Sequence, residues 1–161
     1  DAVTGEVHLV YWVDDVEPRV EYRVAPADLS AWSAAQVVSG AGEAACRPQA
    51  VVHAGVLRVV YEVHVPGAGG TPRQIVLSRL ESGGFVEEIV AQTGHDGVVR
   101  PEVHSHAGRI WVDWIDGDGL IGWTRFDPVG QDWTPILTEP FSGIEELEFH
   151  VRGAVRAKAI E

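Results

Sequence analysis

The chain has 161 residues, 45% of them apolar and 22% charged, enough for one domain with its own core and too few for two ordinary ones. Twelve Lys and Arg oppose 24 Asp and Glu, a formal charge of −12 that repels phosphate backbones, so nucleic acid is excluded as a partner. No apolar run approaches the roughly 18 residues of a membrane-spanning helix, so membrane insertion is not expected.

In chain order, the sequence predicts short strands rich in β-branched and aromatic residues, bounded by Gly, Pro and Asp. The first run is Gly5 to Tyr11, followed by Val20 to Val24. Pro26-Ala27-Asp28-Leu29-Ser30 has the composition of a helix start and predicts one short helical turn within Pro26 to Val38. After Trp32 comes Ala35 to Val38. Then Arg47-Pro48-Gln49-Ala50-Val51-Val52-His53-Ala54-Gly55 leads into Val56 to Tyr61. It recurs 53 residues later as Arg100-Pro101-Glu102-Val103-His104-Ser105-His106-Ala107-Gly108, leading into Arg109 to Trp114. Each copy continues alike, through Ile75 to Leu80, Phe85 and Val86 to Val90 in one, and through Ile121 to Phe126, Trp133 and Pro135 to Leu137 in the other. Gly153 to Ala159 opens a further, weaker copy.

A repeat of about 50 residues holding four antiparallel strands is the signature of a β-propeller blade. We read one all-β repeat domain over residues 1–161, with repeats at about 5–46, 47–99 and 100–141 and a partial repeat at 142–161. Within a strand, Ile110, Val112 and Trp114 share one face and Trp111, Asp113 and Ile115 the other, as suits a sheet packed on both sides. The pattern Pro-x-Val, then Gly-x-apolar-x-Val-x-aromatic, then a strand containing Arg, resembles the blades of sialidase-like, BNR-type propellers. That resemblance implies the architecture. It does not imply sialidase activity, because Asp116-Gly117-Asp118-Gly119-Leu120-Ile121-Gly122-Trp123 only approaches the family's Asp-box turn and the Arg-Ile-Pro signature is absent. Three and a quarter blades do not close a ring. Completion by further copies makes a homo-oligomer the expectation, beside a fragment of a longer propeller or another β-barrel or sandwich.

In a propeller, the loops between the second and third strands share one rim with the loops that join blades. That aims attention at Asp14, Asp15, Arg47, His95, Arg100 and Asp116 as ligand-binding residues. Arg47 and Arg100 occupy equivalent places, where each either grips a carboxylate of a ligand or braces its neighbours in the fold. Asp116 and Asp118, spaced by glycines, offer oxygen ligands that would suit calcium, and a tight turn explains them as well. His104 and His106 fall on one side of a strand with Glu102, a set that would suit a transition metal and faintly resembles the first cupin motif. His53 stands where His106 does in the preceding repeat, which favours a turn role for both. No cofactor is otherwise expected.

The lone Cys46 excludes an internal disulfide and reads as a small core residue. The absence of Met makes Asp1 either the product of processing, which favours a secreted or periplasmic location, or the start of an excised piece. Trp12, Trp111, Trp114, Trp123 and Trp133 fall at repeat-related positions and are expected in the core. The leading functional expectation is a ligand-recognition module for a glycan or a protein partner. Its alternatives are an oligomeric scaffold, a glycoside hydrolase or lyase, and a cupin-like metal-binding barrel.

Overall fold

The computed structural model describes residues 4–65, 73–93, 100–115, 120–127, 132–140, 144–150 and 154–159. These residues form four antiparallel sheets, and no helix occurs among them. The first sheet holds β1 (Val7–Val13), β2 (Arg19–Ala25) and β3 (Gln36–Val37), in that order. The second holds β4 (Ala44–His53), β5 (Val56–His64), β6 (Arg73–Glu81) and β7 (Gly84–Thr93). The third holds β8 (Glu102–His106), β9 (Arg109–Ile115) and β10 (Leu120–Asp127). Both β11 (Asp132–Trp133) and β12 (Leu137–Pro140) pair with β10 in this sheet. A separate hairpin joins β13 (Ile144–His150) to β14 (Ala154–Ala159). The sequence expectation of strands following one another within each repeat is met. The fourth strand of the third repeat is broken into two short pieces.

The recurring His-Ala-Gly is a hairpin turn. Ala54 and Gly55 have φ of 50° and 74°, and Ala107 and Gly108 have φ of 49° and 72°. Two successive left-handed residues make the turn whose twist matches the flanking strands, and Gly takes the second place without strain. The two turns fix the same register in both repeats: Gln49 faces Val60 across β4 and β5, and Glu102 faces Asp113 across β8 and β9. The helical turn expected at Pro26 to Ser30 is instead an isolated turn. Leu29 N–H donates to Pro26 O at 2.9 Å, and Leu29 at φ 56° ends it.

The first three sheets stack in chain order, and strand alternation assigns each residue a face. On β5, Leu57, Val59, Tyr61 and Val63 join Val20, Tyr22 and Val38 of the first sheet in one core. Val60, on the opposite face, joins Ile75, Leu77, Val103, Ile110, Val112 and Trp114 in a second core. The second sheet is therefore buried on both sides, at about 1.5–3 kcal/mol for each large aliphatic side chain withdrawn from water. Side chains bridge the layers. His53 Nδ1 lies 2.6 Å from Ser105 Oγ, and the Trp133 indole N–H donates to the Glu88 carboxylate. We call the side turned toward the next sheet in the chain the leading face, and the other the trailing face. The leading face of the first sheet meets the trailing face of the second, and the same contact recurs between the second and third.

Candidate functional site

The expected rim residues divide. Asp15 lies in the β1–β2 turn, where its Oδ2 accepts from Arg19 at 2.8 Å, and this pairing holds its carboxyl below the usual range. Asp14 beside it is exposed. Ala45 N–H donates to Pro18 O at 3.1 Å, so the start of β4 does meet the β1–β2 turn. Arg47 sits at a bulge in β4 with φ 54° and bonds Glu62 of β5 at 3.0 Å, which is the bracing role. Arg100 is exposed just before β8. His95, Asp116 and Asp118 lie outside the described residues.

Glu62, near the end of β5, is a hub. Its carboxylate has no solvent exposure, and it accepts from Arg47, from Arg73 of β6 and, at 3.0 Å, from His64 Nε2. Cys46 Sγ lies 3.7 Å from the same His64 nitrogen. Burial, with Glu62 second, pushes the Cys46 thiol up to about 11, so it stays protonated as a core residue. Burial also lowers the His64 imidazole, and Arg73 adds to this. Cys46, Glu62 and His64 lie within metal-ligand reach of one another. Two guanidinium groups already neutralise the carboxylate there, so the cluster is a buried ion-pair network rather than a cation site.

The leading face of the third sheet is different. Across β8, β9, β10 and β12, one row reads Glu102, Asp113, Trp123, Leu137, and the next reads His104, Trp111, Arg125. Asp113 is 6% exposed, and its Oδ1 has no hydrogen bond of good geometry among the described residues. His104 Nε2 lies 3.2 Å from that oxygen and 3.4 Å from Glu102 Oε2. Trp111 and Trp123 have ring centroids 5.6 Å apart, and the Arg125 guanidinium carbon stands 5.5 Å from the Trp111 centroid. The Trp111 indole nitrogen is buried, also without a hydrogen-bond partner among the described residues.

The repeat supplies an internal control. The places of Glu102, His104 and Asp113 are held in the second sheet by Gln49, Val51 and Val60. Val60 is wholly buried in the core between sheets, and Val51 packs against it. The third sheet has exchanged these contacts for ionisable groups. The sequence analysis grouped Glu102 and His104 with His106, but the group within metal-ligand reach is completed by Asp113 of the neighbouring strand. A carboxylate at the place of a repeat valine was the signal that could have found it. Among the tryptophans expected in the core, Trp114 is buried, whereas Trp12 is 44% exposed.

The adjoining carboxylates of Asp113 and then Glu102 push the His104 imidazole up to about 9, while burial raises the Asp113 carboxyl. The imidazolium thus offsets a desolvation cost. A raised histidine stabilises the fold fully below its unfolded value near 6.5 and loses that contribution as pH rises through about 9. In chelator-treated protein, unfolding free energy should fall by roughly 2–3 kcal/mol from neutral pH to about pH 10. His104→Gln should flatten this slope in urea titrations.

No family model matches this chain, and no curated protein matches it.

Proposed function

We propose that this chain is an arc of β-propeller blades, of the sialidase-like kind its repeat resembles, that recognises a glycan on the leading face of its third sheet. The observation that carries the reading is the exchange of Val51 and Val60 for His104 and Asp113, beside the Trp111–Trp123 pair. Indole rings stack on the C–H faces of sugars, and carboxylates with an imidazole accept and donate to hydroxyls. Two carboxylates on the face favour neutral over acidic sugars.

Retention on immobilised neutral and acidic glycans tests this. The expected result is binding to neutral glycans that weakens about tenfold or more in Trp123→Ala. Trp12→Ala, on the first sheet, should bind as the parent does. Retention of no glycan, or equal loss in both variants, would overturn the reading.

A second reading, an assembling scaffold, draws on the opposite end of the stack. Val7, Leu9 and Val37 share the trailing face of the first sheet and are 37%, 41% and 54% exposed. The repeat equivalents of Val7 and Leu9 are Leu57 and Val59, both buried against a neighbouring sheet. A second copy docked there would bury them likewise. Light scattering on a sizing column gives the mass that decides it: a homo-oligomer dissociated by Leu9→Asp supports assembly, and a monomer removes it.

A further inference from the structure

We propose that Glu102, His104 and Asp113 form a binding site for one divalent transition-metal ion of the zinc class. One ligand atom from each lies within 4.8 Å of the other two, as a single ion in their midst requires. Two adjacent strands supply them: Glu102 and Asp113 are direct partners across β8 and β9, and His104 follows Glu102 by two residues on the same face.

The donor set decides the class of ion. One imidazole nitrogen and two carboxylates suit zinc, cobalt or manganese, whereas calcium takes six to eight oxygens and has no use for the nitrogen. With a neutral imidazole the two carboxylates carry −2, which a divalent ion cancels. The Glu62 cluster, by contrast, is already cancelled by Arg47 and Arg73. On the leading face of the third sheet Arg125 stands over the Trp111 ring, and Arg109 lies exposed at the hairpin end of β9, paired across the ladder with His106.

A separate observation points into the same spot. Asp113 is more than nine-tenths buried, and its Oδ1, 3.2 Å from His104 Nε2, makes no hydrogen bond of good geometry among the described residues. Burying a carboxylate oxygen is costly unless a partner compensates it, and the equivalent residue of the preceding repeat is valine. Stability alone would favour an apolar residue at this place. The His104 imidazolium offsets part of that cost, and a cation held by the same three side chains would supply the rest. Three protein ligands leave at least one coordination position for water or for a hydroxyl of a bound molecule.

The inference does not rest on the glycan reading, because it is read with metal alone. Cobalt(II) is added to chelator-treated protein and followed by visible absorption, with zinc competition and calorimetry giving the stoichiometry. The expected result is one equivalent bound and displaced by zinc, with affinity reduced at least tenfold in His104→Gln and in Glu102→Gln. Glu102 is half-exposed, so its variant keeps the fold even if another does not. His64→Gln should bind as the parent does. Absence of a cobalt spectrum, full binding in the His104 and Glu102 variants, or a thiolate charge-transfer band that places the ion at Cys46 would each overturn the proposal.

Discussion

Replacing Glu62 with alanine should cost about 3–5 kcal/mol, the largest loss expected from any single polar residue here. The carboxylate is fully buried, and Arg73 beside it is only 13% exposed. Removing the anion deprives that guanidinium of its buried carboxylate, next to the Arg47 guanidinium and an imidazole whose protonated form is already disfavoured. The asymmetry is the test. Arg47 is 40% exposed, so Arg47→Ala returns nothing charged to the interior and should cost about 1 kcal/mol or less. Removing anion and inner cation together, as Glu62→Met with Arg73→Leu, should recover most of the loss, because an apolar pair fills the space without desolvating charge. Equilibrium urea unfolding of the three variants gives the order. Equal losses in Glu62→Ala and Arg47→Ala would show that the network is not organised around Glu62.

Gly122→Ala should destabilise by about 3 kcal/mol, although alanine ordinarily suits a strand better than glycine. Gly122 of β10 faces Trp114 of β9, and a Cβ on Gly122 would stand inside the indole ring. The ring belongs to the core between the second and third sheets, so it cannot swing aside without opening that core. The cost should nearly vanish in a Trp114→Leu background, where the smaller side chain vacates the space, even though Trp114→Leu is itself expensive. A double-mutant cycle from thermal melts measures this. A Gly122→Ala cost that persists unchanged without the indole would assign it to the backbone instead.

Much of the architecture was legible because the repeat carries its own turns. His-Ala-Gly occurs twice at the same spacing, and both copies form the same hairpin with the same register. Alternation along Ile110 to Ile115 likewise put Trp114 on one face and Trp111 and Asp113 on the other, and the first of these faces lies in the core between the second and third sheets. The Pro26 turn misled because its composition suits a helix start, while nothing after Leu29 continues a helical period. The Glu62 network was hidden for a different reason. Its members come from three strands and are joined by pairing across β4, β5 and β6, which single-chain spacing does not report. Asp113 was visible as a residue but not as a neighbour of Glu102 and His104, since these lie on the preceding strand.

The second sheet has a consequence for how disturbance travels. Along β5, Val59 belongs to one core and Val60 to the other, so adjacent residues answer to opposite neighbours through one backbone. A displacement of β5 that improves packing on one side is felt on the other within a single residue. The first and third sheets therefore pack against opposite faces of one strand.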